Sequence, residues 1–208
     1  MLVIKDDQKS HLIFTSLLIG LCTLYTFKQE VTGMKRFVSW LQQQENRMFL
    51  WINKRMRRTY LDRFFNMITH LGGATFTVTA ALCLSLFGHD SWRLAGMQSC
   101  IALAVSHVPV ALFKKNYPRL RPYLVLKDTN TYKNPLTDHS FPSGHTTAIF
   151  SITIPLFYAN AWLGTVLLPV ASLVGISRMY LGLHYPSDCL VGCIIGTAAA
   201  FGAVVLFT

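Results

Sequence analysis

The chain has 208 residues, 52% of them hydrophobic and only 13% charged, with nineteen Lys and Arg against nine Asp and Glu. An ordinary soluble domain carries about 25% charged residues, so composition and a mean hydropathy of +0.39 exclude that class and point to a membrane protein. The net charge of +10 is read as contact with anionic lipid headgroups, with no nucleic-acid partner. No linker or repeat interrupts the chain, so a single domain over 1–208 is expected.

Five stretches lack charge: Ser10–Phe27, Phe64–His89, Leu94–Phe113, Thr146–Ser177 and Cys189–Thr208. A membrane crossing needs roughly 20 apolar residues. The stretch from Thr146 therefore holds two short crossings, with a turn near Tyr158–Ala161. The prediction is an all-α, polytopic membrane protein with six transmembrane helices, at roughly 10–27, 64–88, 94–113, 145–159, 162–178 and 188–207. Lys5 and Lys9 precede the first stretch. No small-residue cleavage pattern follows it, so a retained anchor is expected rather than a signal peptide.

Residues 28–63 are polar but periodic. Phe37, Trp40, Leu41, Met48, Trp51 and Ile52 alternate with Gln42–Gln44, Arg47 and Lys54–Arg58 at largely helical spacing. Two placements fit: amphipathic helices in the headgroup zone, or helices packed on the protein's own crossings. Residues 114–141 carry Pro118, Pro122, Pro135 and several Asp, Asn and Thr, which mark an irregular loop outside the hydrocarbon. Pro109, Pro155 and Pro169 are expected at kinks or helix ends. Gly192, Gly196 and Ala200 recur every four residues, a spacing that lets helices pack closely. The five cysteines, Cys22, Cys83, Cys100, Cys189 and Cys193, fit no disulfide or zinc pattern and are read as buried thiols.

The chemistry-bearing residues sit at the ends of the apolar stretches. With six crossings, residues 28–63, 114–145 and 177–188 all fall on one side. That brings together Lys114 and Arg121, then Ser143, Gly144 and His145, then Arg178, His184 and Asp188. Phosphate-ester hydrolysis requires charge stabilisation on three non-bridging oxygens, with nucleophile and leaving group in line. Lys114, Arg121 and Arg178 supply positive charge, and an arginine fork can grip two oxygens. Pro142 and Gly144 begin a helix whose free N–H groups favour an anion, and the Ser143 hydroxyl adds a donor. Asp188 can fix the tautomer of His184 and leave its other nitrogen free to attack phosphorus. His145 is the candidate general acid and then base. The nine acidic residues form no metal-ligand cluster, so a metal-free reaction without cofactor is expected.

These residues match three ordered motifs. Lys114, Arg121 and Pro122 form K-x6-R-P; Pro142, Ser143, Gly144 and His145 form P-S-G-H; Ser177, Arg178, His184 and Asp188 form S-R-x5-H-x3-D. On these grounds the chain resembles the type 2 phosphatidic acid phosphatases, the PAP2 family of integral-membrane lipid phosphatases. The resemblance implies a His184 nucleophile oriented by Asp188, an acid at His145, phosphate contacts from Lys114, Arg121, Ser143, Gly144 and Arg178, and metal independence. It also implies a multi-pass protein of the cell membrane with its site on the extracytoplasmic face. The expected substrate is a membrane lipid: undecaprenyl diphosphate, phosphatidylglycerophosphate or phosphatidic acid. Two alternatives share parts of the pattern, a non-catalytic lipid-phosphate binding or transport protein and a vanadate-dependent haloperoxidase. Charge opposes the implied orientation: sixteen of the nineteen basic residues fall on the motif side, the side the positive-inside rule places in the cytoplasm. The motifs specify no oligomeric state.

Overall fold

The computed structural model describes residues 34–131 and 138–207, and these are mainly helical with no strand among them. The expected first crossing, 10–27, and Cys22 lie outside the described residues. The chain divides into two compact units, Met1–Gln44 and Glu45–Thr208. The boundary falls inside the periodic 28–63 stretch, where composition marks no linker. In the first unit, residues 34–44 are helical and expose Met34, Phe37, Val38, Trp40 and Leu41.

The second unit opens with helical residues 45–50, which run into a π-helical turn, Trp51–Arg55. Phe49, Ile52 and Asn53 are buried there, whereas Met48 and Trp51 are exposed. This part of the amphipathic stretch therefore packs on the protein's own helices with one face. Asn53 is fully buried and pins three segments together. Its Nδ2 donates to Asn130 O and to Tyr180 O, both at 2.8 Å, while Asn130 N donates to its Oδ1 at 2.9 Å.

The helices that follow are α1 (Thr59–Ile68), α2 (Ala74–Phe87), α3 (Asp90–Asn116), the single turn α4 (Pro122–Val125), α5 (Gly144–Ala159), α6 (Ala161–Tyr180) and α7 (Pro186–Leu206). The crossing expected at 64–88 is not one helix. A 3-10 turn, Thr69–Gly72, follows α1, and the axis then bends by 51° into α2. The cause is close packing. A Cβ on Gly72 would stand 2.7 Å from Val174 Cγ1 and 2.8 Å from His145 O, so only glycine lets this turn approach the start of α5.

Among the described residues α3, α6 and α7 are each long and apolar enough to cross a membrane, and the bent α1–α2 pair makes a fourth if it counts as one crossing. At sixteen residues α5 is short, but it is the central helix, packed against α3, α6 and α7. Its buried side is rich in small polar residues. Ser151 Oγ donates to Thr147 O at 2.9 Å and lies 3.0 Å from Ser106 Oγ of α3. The outward faces are the apolar ones: Phe76, Leu82 and Leu86 on α2, Val105, Val108 and Leu112 on α3, Leu190, Ile194 and Phe201 on α7. Polar groups satisfied inside and apolar groups outside suit a hydrocarbon surround.

The small-residue face of α7 meets α5 as its spacing predicts. A Cβ on Gly196 would lie 2.4 Å from Thr147 O, and one on Gly192 2.6 Å from Ser143 O. The turn between α5 and α6 falls at Asn160, whose side chain caps α6 by accepting from Leu163 N at 3.0 Å. Pro109, Pro155 and Pro169 lie inside α3, α5 and α6, not at their ends. The cysteines correct one expectation: all four described are free, but only Cys189 is buried, and Cys83 is exposed. A thiol on an outward apolar face needs no burial within the protein.

Candidate active site

His184 is delivered by a tight reversal after α6. Gly182 takes φ +77°, a left-handed conformation that favours glycine. A Cβ there would also meet Asn130 O at 2.4 Å. The reversal returns the N–H groups of Leu183 and His184 to Arg178 O, at 3.0 and 3.2 Å. Arg178 and His184 thus leave one backbone turn together, and both are buried.

Arg121 enters from the loop after α3. Its Nη1 donates to Leu183 O at 2.8 Å and lies 3.2 Å from His184 Nε2, which then acts as acceptor. That contact leaves the ring proton on Nδ1, facing Asp188. Burial, joined by the charges of Arg178 and Arg121, pushes the His184 pKa down to about 4, against the opposing pull of Asp188. The imidazole is therefore neutral near pH 7, the form a nucleophile needs.

Asp188 is fully buried in the first turn of α7. Its Oδ2 lies 3.6 Å from His184 Nδ1, an ion-pair spacing longer than the hydrogen bond expected from sequence. The reason is competition. Oδ2 accepts a short hydrogen bond from the Ser140 hydroxyl and another, at 2.8 Å, from Tyr185 N, so the carboxylate also caps its own helix. Oδ1 accepts from Arg119 Nη1 at 2.7 Å.

The P-S-G-H residues form the start of α5. Ser143 is buried; its N–H donates to Asp188 O at 3.0 Å and its Oγ accepts from the Thr146 hydroxyl at 3.0 Å. A Cβ added at Gly144 would meet nothing within 4 Å, so the backbone faces open space at this helix start. His145 lies within electrostatic range of Arg178, His184, Lys114 and Arg121. The glycine turn walls its other side: a Cβ on Gly73 would be 3.9 Å from His145 Nε2. A cleft of about 550 Å³, lined by His70, Gly73, Thr75, Phe76, Thr79 and Ala80, opens beside that turn.

The cations are already matched. Asp138 accepts from Arg121 Nη2 at 2.5 Å through Oδ1 and forms a short ion pair with Lys114 Nζ through Oδ2. Its backbone O accepts from Arg121 Nε at 2.8 Å. Burial would raise the Asp138 carboxyl, but the Lys114 and Arg121 hydrogen bonds outweigh it and hold the pKa at about 2. On the far side, Arg178 Nη1 donates to Thr69 Oγ1 at 2.8 Å.

All eight residues singled out from sequence belong to this one cluster of segments. Sequence reasoning passed over Thr69 and Gly73, Asp138, Ser140, Arg119 and Glu45. One signal could have raised the acids among them: with nine acidic residues against nineteen basic ones, an acid near the motif loops is a candidate partner for a motif cation.

A family model described as the PAP2 superfamily matches residues 95–208. The putative undecaprenyl-diphosphatase YbjG of Escherichia coli K12 is 32% identical over 128 residues, 61% of this chain and 64% of that one. The undecaprenyl-diphosphatase BcrC of Bacillus subtilis 168 is 30% identical over 145 residues, 68% of this chain and 72% of that one. Among solved structures, Aquifex aeolicus LpxE superposes with a TM-score of 0.69 at 29% identity, covering 76% of this chain and 93% of that one. The chain spans 53% to 64% of the length of several curated relatives it matches.

Proposed function

Because the chain belongs to the PAP2 superfamily, we propose that it is an integral-membrane phosphatase acting on the terminal phosphate of a lipid phosphate or diphosphate. A polyisoprenyl diphosphate such as undecaprenyl diphosphate is the first candidate substrate, in keeping with the names of two relatives. Phosphatidylglycerophosphate and phosphatidic acid are the competing headgroups. The observation that carries the reading is the approach of Arg121 Nη1 to within 3.2 Å of His184 Nε2, across sixty-three residues of sequence. It sets a phosphate-gripping cation beside a neutral imidazole.

In the proposed reaction the phosphate displaces Asp138 from Lys114 and Arg121. Its oxygens then take up those cations, Arg178 and the N–H groups at the start of α5. Arg121 moves from His184 Nε2 to the phosphate, which frees the lone pair. His145 takes up a proton as the anionic phosphate binds beside it; the His184 nitrogen then forms a bond to phosphorus as the bond to the leaving oxygen breaks, and His145 passes that proton to the leaving oxygen. His145 then takes a proton from water, whose oxygen attacks phosphorus; the P–N bond breaks and inorganic phosphate departs. Three side-chain cations supply the positive charge, so the proposed reaction is metal-independent.

The proposed membrane arrangement has six crossings: residues 10–27, the bent α1–α2 pair, α3, α5, α6 and α7. The site lies on the outer face of the cell membrane. The excess of basic residues on that side is assigned to substrate and anionic headgroups. Protein purified in detergent should release phosphate from isoprenyl diphosphates with EDTA present, ahead of phosphatidylglycerophosphate and phosphatidic acid. Full activity of His184→Ala in that assay rejects the reading. For orientation, Lys127→Cys in a cysteine-free background should react with an impermeant reagent in intact cells. Reaction only after lysis would place the site inside.

A further inference from the structure

Arg119 occupies one of the unspecified positions between Lys114 and Arg121, yet its guanidinium reaches the carboxylate beside the proposed nucleophile. Its Nη1 donates to Asp188 Oδ1 at 2.7 Å and to Ser187 Oγ at 2.8 Å. Its Nη2 donates to Glu45 Oε2 at 2.6 Å, and its guanidinium lies over the Tyr185 ring at 4.0 Å from the centroid. Glu45 in turn grips the start of α7: its Oε1 accepts from Ser187 N at 3.0 Å and forms a short hydrogen bond with the Ser187 hydroxyl.

We propose that Arg119, anchored by Glu45, is a positioning residue that holds Asp188 in register with His184. The clamp rests on the His184 nucleophile proposed above. The argument follows from which atoms are held. Tyr185 N and the Ser140 hydroxyl act on Oδ2, the oxygen nearest His184 Nδ1. Arg119 holds the other oxygen and so fixes rotation of the carboxylate about its last bond. It also keeps a full positive charge against a carboxylate with no solvent contact. Without it, Asp188 is left buried beside a neutral imidazole, an arrangement that favours protonation of the carboxyl.

Arg119 works on the Nδ1 side of the ring, whereas Arg121 touches Nε2, the side that faces phosphorus. Loss of the clamp should therefore lower kcat and leave KM nearly unchanged. Glu45 gives the clamp direction: a lysine at 119 can reach Asp188 with a point charge but cannot bridge both carboxylates.

The test is steady-state kinetics on detergent-purified wild type, Arg119→Met, Arg119→Lys, Glu45→Gln and His184→Ala with one lipid phosphate. Arg119→Met should lose about 10- to 100-fold in kcat with KM within about threefold of wild type, by analogy with the loss when the partners that orient metal-ligating side chains are removed. Arg119→Lys should recover part of that loss. The acid limb of the Arg119→Met profile should move to higher pH, a shift that loosened packing alone does not produce. If Arg119→Met does not purify as a monodisperse species, Glu45→Gln carries the test with a smaller fall in kcat at unchanged KM. A rise in KM at wild-type kcat overturns the proposal and makes Arg119 a phosphate contact. Wild-type kcat in both Arg119→Met and Glu45→Gln overturns it as well. His184→Ala separates the two readings: if it is silent while Arg119→Met is fully active, only the clamp fails; if it turns over, the nucleophile assignment fails first.

Discussion

The two sides of the candidate phosphate site are built differently. The side that carries the proposed nucleophile is buried and fixed. His184 sits on a glycine reversal, and Asp188 is held by Arg119, the Ser140 hydroxyl and Tyr185 N. On the cation side Lys114 and the buried Arg121 share the carboxylate of Asp138, which is itself 49% exposed. One side is assembled in advance; the other is satisfied by a carboxylate that, in the proposed reaction, the phosphate replaces. Orientation of the reacting nitrogen is the harder requirement, because small displacements of a nucleophile cost rate steeply. Charge neutralisation tolerates exchange between a carboxylate and a phosphate.

The largest effect expected from breaking the fixed side is Asp188→Asn. The carboxylate that faces Nδ1 at 3.6 Å becomes a neutral amide, and kcat should fall by about 10³- to 10⁴-fold, as with the carboxylate of a Ser-His-Asp triad. A loss below tenfold in a phosphate-release assay would mean that His184 needs no such partner.

Gly182→Ala attacks the same side through the backbone. A side chain at φ +77° costs about 1–2 kcal/mol. Its Cβ also presses on Asn130 O, which loosens the Asn53–Asn130–Tyr180 pin. A lower melting temperature together with a lower kcat is expected. An unchanged kcat would show that the reversal is structural only.

On the exchangeable side, Asp138→Asn removes the competing charge. The partly exposed Lys114–Asp138 pair contributes about 0–1 kcal/mol, so inhibition by inorganic phosphate should tighten by about two- to fivefold. Weaker inhibition would mean that Asp138 helps bind phosphate instead of standing in for it.

The mildest test is pH. Burial first, then Arg178 and Arg121, hold the folded His184 pKa at about 4, against 6.5 for the ordinary group. Between those values the unfolded chain binds more protons. His184 therefore contributes stability above pH 6.5 that is lost as pH falls toward 4. The acid limb of kcat/KM should lie well below pH 6.5, and a nucleophile pKa at 6.5 in the pH profile would contradict the buried, neutral imidazole.

Much of the site was legible because charge is scarce in this chain. Lys114, Arg121, His145, Arg178, His184 and Asp188 stand out at the ends of apolar stretches, where an uncompensated charge is costly. The helices α3, α6 and α7 were legible for the same reason. The partners were not. Arg119 and Glu45 meet across seventy-four residues, and Thr69 reaches Arg178 across one hundred and nine. Neither pair follows a helical or motif spacing, so the contacts exist only once the helices are packed. The bend between α1 and α2 was hidden by uniform hydropathy, since Gly72 and Gly73 sit inside an apolar stretch and their role is set by Val174 and His145.

The most direct measurement is to quench turnover of a lipid carrying a labelled terminal phosphate in alkali, where a phosphoramidate survives, and to map the label by peptide. The account predicts phosphate on His184, absent from His184→Ala. Normal turnover with no label on that residue, or a label carried elsewhere, would contradict it.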